Sequence, residues 1–225
     1  MPEEQKTDFL PIKRTPQEAR KAYNQMSSWY DLFSGFEKDY REKGIQLLKV
    51  KPGEKILEIG SGTGNSLLIL GEKVGTSGKV YGIDISEGMV KVSKSKLRQA
   101  NLMDRVILTC GNALELPYED NFFDGIFICF TLELFAKPEI TLFFEECKRV
   151  LKIKGRMGIV SMEKKKRDSV MVKIYELFHK LFPRWIDCRP IPVKDLLEKN
   201  GLKINSYQQF RMWGLPVAIV KVTQK

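Results

Sequence analysis

The chain has 225 residues, 43% of them apolar and 29% charged. That size suits one α/β domain burying about 70% of its unfolded surface, and it excludes both a disordered chain and two full catalytic domains. The net charge is +10, and residues 151–225 alone hold 17 basic and 6 acidic side chains, which turns that region toward an anionic partner or marks it as a plain solubilising surface.

The opening residues have no apolar core behind a basic start, so no secretory signal is read there. Thr15-Pro16-Gln17-Glu18 offers a hydroxyl cap, a proline at the first helical position and an acid in the first turn, which predicts a helix over 16–26. Further helices are expected at 28–34 and 37–49, broken near Ser34-Gly35. Strands then alternate with helices. Strands are expected at 55–59, 79–83, 105–110, 123–129 and 156–162, and helices at 65–74, 86–100 (capped by Ser86) and 139–151. Continuous apolar strands in such an alternation predict a parallel sheet covered on both faces. The longest apolar stretch, 125–135, is about half of the roughly 20 residues a membrane span needs.

The rhythm changes after residue 162. Apolar side chains at 170, 174, 177, 178 and 181 predict an amphipathic helix over 168–182. A short helix follows at 193–200, stopped by Gly201. Strands at 202–210 and 217–223 share a short turn and are expected to be antiparallel. The fold class is therefore α/β: a doubly wound, mostly parallel seven-stranded sheet with an antiparallel terminal pair. Residues 1–50 are expected to form an N-terminal helical lid. Residues 51–225 form the main domain, with a helical insertion at about 163–190.

The first strand runs into Glu58-Ile59-Gly60-Ser61-Gly62-Thr63-Gly64-Asn65, and a helix follows. Three glycines in five residues let backbone approach a ligand closely, and the helix start beyond them offers free amides. Asp84 closes the second strand, where a carboxylate accepts both hydroxyls of a ribose. This pairing predicts an adenosine-containing cofactor. A dinucleotide fingerprint would need glycine at 65, where Asn65 stands. Glu58 would repel a pyrophosphate but would receive the cationic amino group of a methionine moiety. S-adenosylmethionine is thus favoured over a nicotinamide dinucleotide.

The residues at 58–64, Asp84, Cys110-Gly111-Asn112-Ala113, Leu116-Pro117-Tyr118 and Phe123-Asp124-Gly125-Ile126 together resemble the class I S-adenosylmethionine-dependent methyltransferases. The resemblance is nearest to the quinone-biosynthesis C-methyltransferases and the bacterial phospholipid N-methyltransferases. It implies a Rossmann-like methyltransferase fold and a cofactor site of Glu58, Gly60, Ser61, Gly62, Thr63, Gly64, Asp84, Ile85, Asn112, Ala113 and Cys129. The loop would hold the methionine portion, Asp84 the ribose, and Asn112 with Ala113 the adenine. Asn112 stands where many relatives carry Asp, and Cys129 where quinone methyltransferases carry a serine. The resemblance also implies that Tyr23 and Tyr30 fold over the cofactor. Seven residues apart, they would share one face of a continuous helix.

Methyl transfer from a sulfonium needs proximity, alignment and a dry cleft rather than a catalytic constellation. A carbon or oxygen acceptor still has a proton to lose. The candidate bases are His179, read as a helix-surface residue, and Glu133, read as a solvated loop acid. The Phe-, Leu- and Trp-rich insertion suggests a small lipophilic acceptor, a quinone precursor or a lipid head group. Lys164-Lys165-Lys166-Arg167 and the amphipathic stripe after it leave two readings open. One is the floor of a substrate pocket, and the other is peripheral contact with an anionic membrane. The rival functions are a tRNA or rRNA methyltransferase and a non-catalytic S-adenosylmethionine-binding protein. Nucleic acid is disfavoured because Cys129-Phe130-Thr131-Leu132 is no Asn-Pro-Pro-Tyr-type motif. Four scattered cysteines without a Cys-x-x-Cys, and a single histidine, disfavour a metal or a disulfide framework and suit a cytoplasmic protein.

Overall fold

The computed structural model describes residues 9, 15–31, 35–164 and 189–225. The strands are β1 (Lys55–Ile59), β2 (Lys79–Asp84), β3 (Val106–Cys110), β4 (Phe123–Cys129), β5 (Leu151–Met162), β6 (Leu202–Met212) and β7 (Leu215–Gln224). They form one sheet in the order β3-β2-β1-β4-β5-β7-β6. Neighbours from β3 to β5 are parallel, while β7 is antiparallel to both β5 and β6. The helices are α1 (Pro16–Met26), α2 (Lys38–Leu48), α3 (Asn65–Val74), α4 (Glu87–Gln99), α5 (Lys137–Val150) and α6 (Val193–Lys199).

Successive strand residues point to opposite faces, and each face has its own core. Leu57, Ile59, Ile126, Ile128 and Ile159 pack with Phe143 and Phe144 of α5 and Leu197 of α6. Ile56, Val80, Phe127 and Val160 pack with Ile45 of α2, Leu70 of α3 and Leu97 of α4. Each such fully buried side chain contributes about 1.5–3 kcal/mol. The sheet is therefore wound on both sides, as its apolar strands predict.

Most expected elements are present, with differences that have local causes. α1 has the expected cap: Thr15 Oγ1 accepts from the Glu18 amide at 3.3 Å, and Glu18 Oε2 accepts from the Thr15 amide at 2.8 Å. Residues 27–30 form a turn rather than helix, with the Trp29 amide donating to the Met26 carbonyl at 3.1 Å. A 3-10 turn, Gly35–Glu37, leads into α2. α5 begins two residues earlier than expected because Pro138 lies in its first turn and Glu139 Oε2 caps the Ala136 amide at 2.8 Å. β5 begins at Leu151, directly after α5, and is longer than the expected 156–162. The expected amphipathic helix at 168–182, with His179, lies outside the described residues.

Candidate functional site

The chain moves from β1 outward to β2 and β3, and from β4 outward the other way to β5. β1 and β4 are neighbours, so a crevice opens at their carboxyl ends, where open α/β sheets take ligands. The glycine loop occupies its β1 side. Gly60, Gly62 and Gly64 all have positive φ, at 73°, 52° and 84°, conformations that cost other residues about 1–2 kcal/mol. The three differ in surroundings. A Cβ on Gly60 would fall 2.3 Å from Thr131 Oγ1, and one on Gly64 would fall 2.3 Å from Ser93 Oγ. A Cβ on Gly62 would meet nothing within 4 Å. Two glycines are thus demanded by packing, while the third presents bare backbone to open space.

Asp84 faces this loop. Its Oδ2 accepts from the Gly62 amide at 2.8 Å, and its Oδ1 accepts from the Ser86 amide at 2.9 Å. Burial raises its pKa, and the two amide bonds pull the other way. A carboxylate has about four acceptor positions, so capacity remains for a pair of hydroxyls. Glu58, on β1, is only 2% exposed, and its Oε2 has no partner. Burial pushes its pKa up to about 8, helped by nearby Asp84 and opposed by a hydrogen bond from Ser66 and by Arg41. A buried acid oxygen without a donor is costly, and a ligand cation would relieve it. Glu58 and Asp84, at either end of this stretch, have the free acceptor capacity that an ammonium and a diol need, so these residues fit a nucleoside with a cationic tail.

The remaining expected contacts are spread around the crevice. Ser61 Oγ is buried without a partner, and Thr63 Oγ1 donates to Asp31 Oδ1 at 2.6 Å. Ile85 and Ala113 are half-buried. Asn112 is exposed, and its Oδ1 accepts from the Leu114 amide at 3.0 Å, which shapes the loop after β3. Arg149 of α5, not anticipated from the sequence, holds that loop through the carbonyls of Leu116 at 2.9 Å and Tyr118 at 2.7 Å. Cys129 is half-buried at the end of β4, its thiol pushed far up by burial. Phe130 beyond it has φ 49°, a left-handed conformation that a bulky residue adopts only under surrounding constraint. This corner lets Thr131 pack on Gly60.

Segment 15–31 is fastened to the glycine loop and to the start of α4. Asn24 Oδ1 accepts from Ser86 Oγ at 2.7 Å and from the Gly88 amide at 2.9 Å. The Asp31 carboxylate accepts from Thr63, from Asn65 Nδ2 at 3.1 Å and from Lys96 Nζ at 2.6 Å. Arg20 pairs with Glu87. Neither Asn24 nor Asp31 was anticipated, because nothing in their spacing announces partners on another element. Tyr23 and Tyr30 do meet, edge to face at 6.5 Å. They do so across a turn, since α1 ends at Met26, and not along one continuous helix.

Glu133 corrects its sequence reading. It is fully buried rather than solvated, on the 3-10 turn Leu132–Leu134. It accepts from Ser161 Oγ at 2.9 Å and the Met162 amide at 3.1 Å, and burial pushes it up to about 7. Its carbonyl accepts from Nε of the fully buried Arg189 at 3.3 Å. The Arg189 guanidinium sits 4.6 Å from the Phe9 ring centroid, and burial lowers its pKa to about 10. Glu37 is also pushed up to about 7 by burial, against the pull of Arg41. The charges of Glu37, Arg41, Glu58 and Glu133 all reach Cys129. Lys165, Lys166, Arg167 and Trp185 lie outside the described residues. Among the described residues there is no group of three or more metal-ligating side chains, and no helix is long and apolar enough to cross a membrane.

A doubly wound sheet of this order, with a glycine loop and a strand-end acid at its switch point, defines the Rossmann-like methyltransferase class. A model of the ubiE/COQ5 methyltransferase family matches residues 5–186, and the chain belongs to that family. It is 35% identical over 164 residues to a demethylmenaquinone methyltransferase of Lactobacillus johnsonii. The match takes in 72% of this chain and 65% of that protein, so the chain spans less than two thirds of that relative's length. A crystal structure of a SAM dependent methyltransferase from Aquifex aeolicus aligns with TM-score 0.64 at 25% identity, covering 93% of this chain and 99% of that one. The [4+2]-cyclase SpnF aligns with TM-score 0.76 at 17% identity, covering 96% of this chain and 99% of that one, a likeness of fold.

Proposed function

We propose that the protein transfers a methyl group from S-adenosylmethionine to a ring carbon of a quinone precursor of the demethylmenaquinone type. The observation that carries the cofactor is Glu58, an acid buried at 2% exposure with an unpartnered oxygen, at the head of a loop whose Gly62 opens onto free space. The demethylmenaquinone methyltransferase of L. johnsonii supports the acceptor.

Bound S-adenosylmethionine would supply an electrophilic methyl group on a positively charged sulfur, and the sulfur would depart as a neutral thioether when the methyl–sulfur bond breaks. The chain's own part is to bind, align and dry the reactants. Glu58 takes the ammonium, and the backbone from Gly60 through Ser61, Gly62 and Thr63 to Gly64 lies along the methionine portion. Asp84 takes the ribose hydroxyls. Ile85 and Ala113 flank the adenine, Asn112 reaches its amine, and Cys129 borders the methionine end. Segment 15–31, with Tyr23 and Tyr30, closes over the site from the bonds Asn24 and Asp31 make. A phenolic acceptor becomes a carbon nucleophile as its hydroxyl proton departs. Glu133, on the turn after β4, and Glu37, on the turn before α2, are both raised to about 7 by burial, so these two acids near Cys129 change protonation near neutral pH.

The test is a transfer assay with methyl-labelled S-adenosylmethionine and a mixture of phospholipid and demethylmenaquinone held as its hydroquinone by added dithionite. Label on the naphthoquinone ring is expected. Label on a head group, or on neither, would overturn the acceptor.

A further inference from the structure

β6 runs parallel to β5, because both are antiparallel to β7. The β6–β7 hairpin therefore turns at the same sheet edge as the glycine loop. β5 stops at Met162, opposite Val217, while the β6–β7 ladder continues outward to Met212 opposite Leu215. The hairpin tip thus projects beyond the end of β5. Its two-residue turn is Trp213-Gly214, with φ of 50° and 82°. Two positive φ values suit Asn-Gly or Gly-Gly, yet a tryptophan takes the first position. It packs on no core. Its ring lies 4.3 Å from that of Phe36, edge to face, and the two remain 61% and 52% exposed.

Two large aromatic rings from opposite ends of the chain thus meet in solvent, at a strained turn on the ligand-binding edge. A separate series, Phe210, Tyr40 and Phe130, stacks edge to face at 6.4 Å and 6.5 Å, ending one residue before Thr131, which packs on Gly60. Exposed Lys38 and Arg211 flank the pair in sequence, and Lys43 Nζ lies 5.6 Å from the Phe210 ring. Lys164 leaves β5 at this edge and starts the run Lys164-Lys165-Lys166-Arg167, in the part of the chain that carries the whole excess positive charge. Amphipathic aromatics on a projecting tip, with lysine and arginine beside them in sequence, match the interface of a bilayer with anionic head groups.

We propose that Trp213 and Phe36 form a membrane-seating tip that holds the cofactor edge against an anionic bilayer. It rests on the reading of the acceptor as a lipid-borne quinone precursor, and it explains how such an acceptor reaches the crevice without first entering water.

The experiment is co-sedimentation of the full chain with vesicles of phosphatidylglycerol and phosphatidylcholine, and with phosphatidylcholine alone. Three proteins are compared: wild type, Trp213→Asn, and Trp213→Asn with Phe36→Ser. Asn tolerates the left-handed turn, so the melting temperature of Trp213→Asn should equal or exceed that of wild type. Wild type should favour the anionic vesicles, and the double variant should lose about tenfold or more in partition. S-adenosylmethionine affinity and turnover of a soluble short-chain acceptor should be unchanged, while turnover of vesicle-embedded acceptor falls. Equal partition of wild type and variants overturns the proposal. So does a concentration-dependent wild-type dimer that the variants lose, which would make the tip a contact between two copies. Failure of wild type on the soluble acceptor would instead count against the proposed activity, so the two readings fail separately.

Discussion

The glycine-loop stretch and the parts packed around it are built in different ways. From β1 to the end of β2 the chemistry is local: Glu58, the three glycines and Asp84 lie within 27 residues, and the glycines and Asp84 are fixed by backbone bonds. Around that stretch the remaining parts, the turn after β4 and segment 15–31, are assembled from afar. Glu133 is bound to Ser161 and to Arg189, 56 residues on; Asn24 reaches Ser86 across 62 residues; Asp31 reaches Thr63 across 32. Backbone donors at a sheet end form a rigid cradle, which the proposed function gives to the nucleoside. Distant side chains packed around it can vary with the acceptor while its backbone bonds stay in place.

This difference can be broken at the glycines. Gly60→Ala should cost about 3 kcal/mol of stability, because a strained φ is compounded by collision with Thr131; denaturant unfolding would show it. Gly62→Ala should cost only about 1 kcal/mol while abolishing most cofactor affinity, since its Cβ would occupy open space. If both variants lose stability equally, the distinction between packing and binding glycines is wrong.

Asp84→Ala should weaken S-adenosylmethionine binding by about 1–3 kcal/mol, the worth of a charged acceptor for two hydroxyls, as measured by calorimetry. Unaltered affinity would remove Asp84 from the ribose site.

Glu58 sharpens the comparison through pH. Its pKa of about 8 in the folded chain lies well above the roughly 4.3 of an unfolded glutamate. Folding then takes up a proton between those values, so Glu58 lets stability fall as pH rises from about 5 to 8. Glu58→Gln should flatten that slope in thermal melts across the range. At pH 7 the free protein holds Glu58 protonated, and pairing with an ammonium should expel about one proton. Calorimetry in buffers of differing ionisation heat would register it, and Glu58→Gln should abolish it.

The smallest effect is expected among the contacts assembled from afar. Asn24→Ala removes two acceptor bonds, to Ser86 and Gly88, and should cost about 1 kcal/mol. Proteolysis of segment 15–31 should accelerate while the core stays protected.

The same division decides what could be read from the sequence. The strands, α3, the glycine loop and Asp84 follow from periodicity and spacing, because the interactions that form them are near in the chain. Glu133 was misread because a charged residue after a strand ordinarily faces water. Its burial depends on Ser161, Met162 and Arg189, which no local pattern joins to it. Asn24 and Asp31 were missed for the same reason, and Trp213 was invisible as a surface feature because a tryptophan in a hairpin normally signals core packing. Tyr23 and Tyr30 were paired correctly through the wrong geometry: the turn after Met26 brings the rings together.

The most direct test of the account is a crystal structure with S-adenosylhomocysteine. The ribose hydroxyls are expected on Asp84, the amino group on Glu58, and the thioether chain along Gly62. A nucleoside seated anywhere else, or a crevice that admits none, would contradict it.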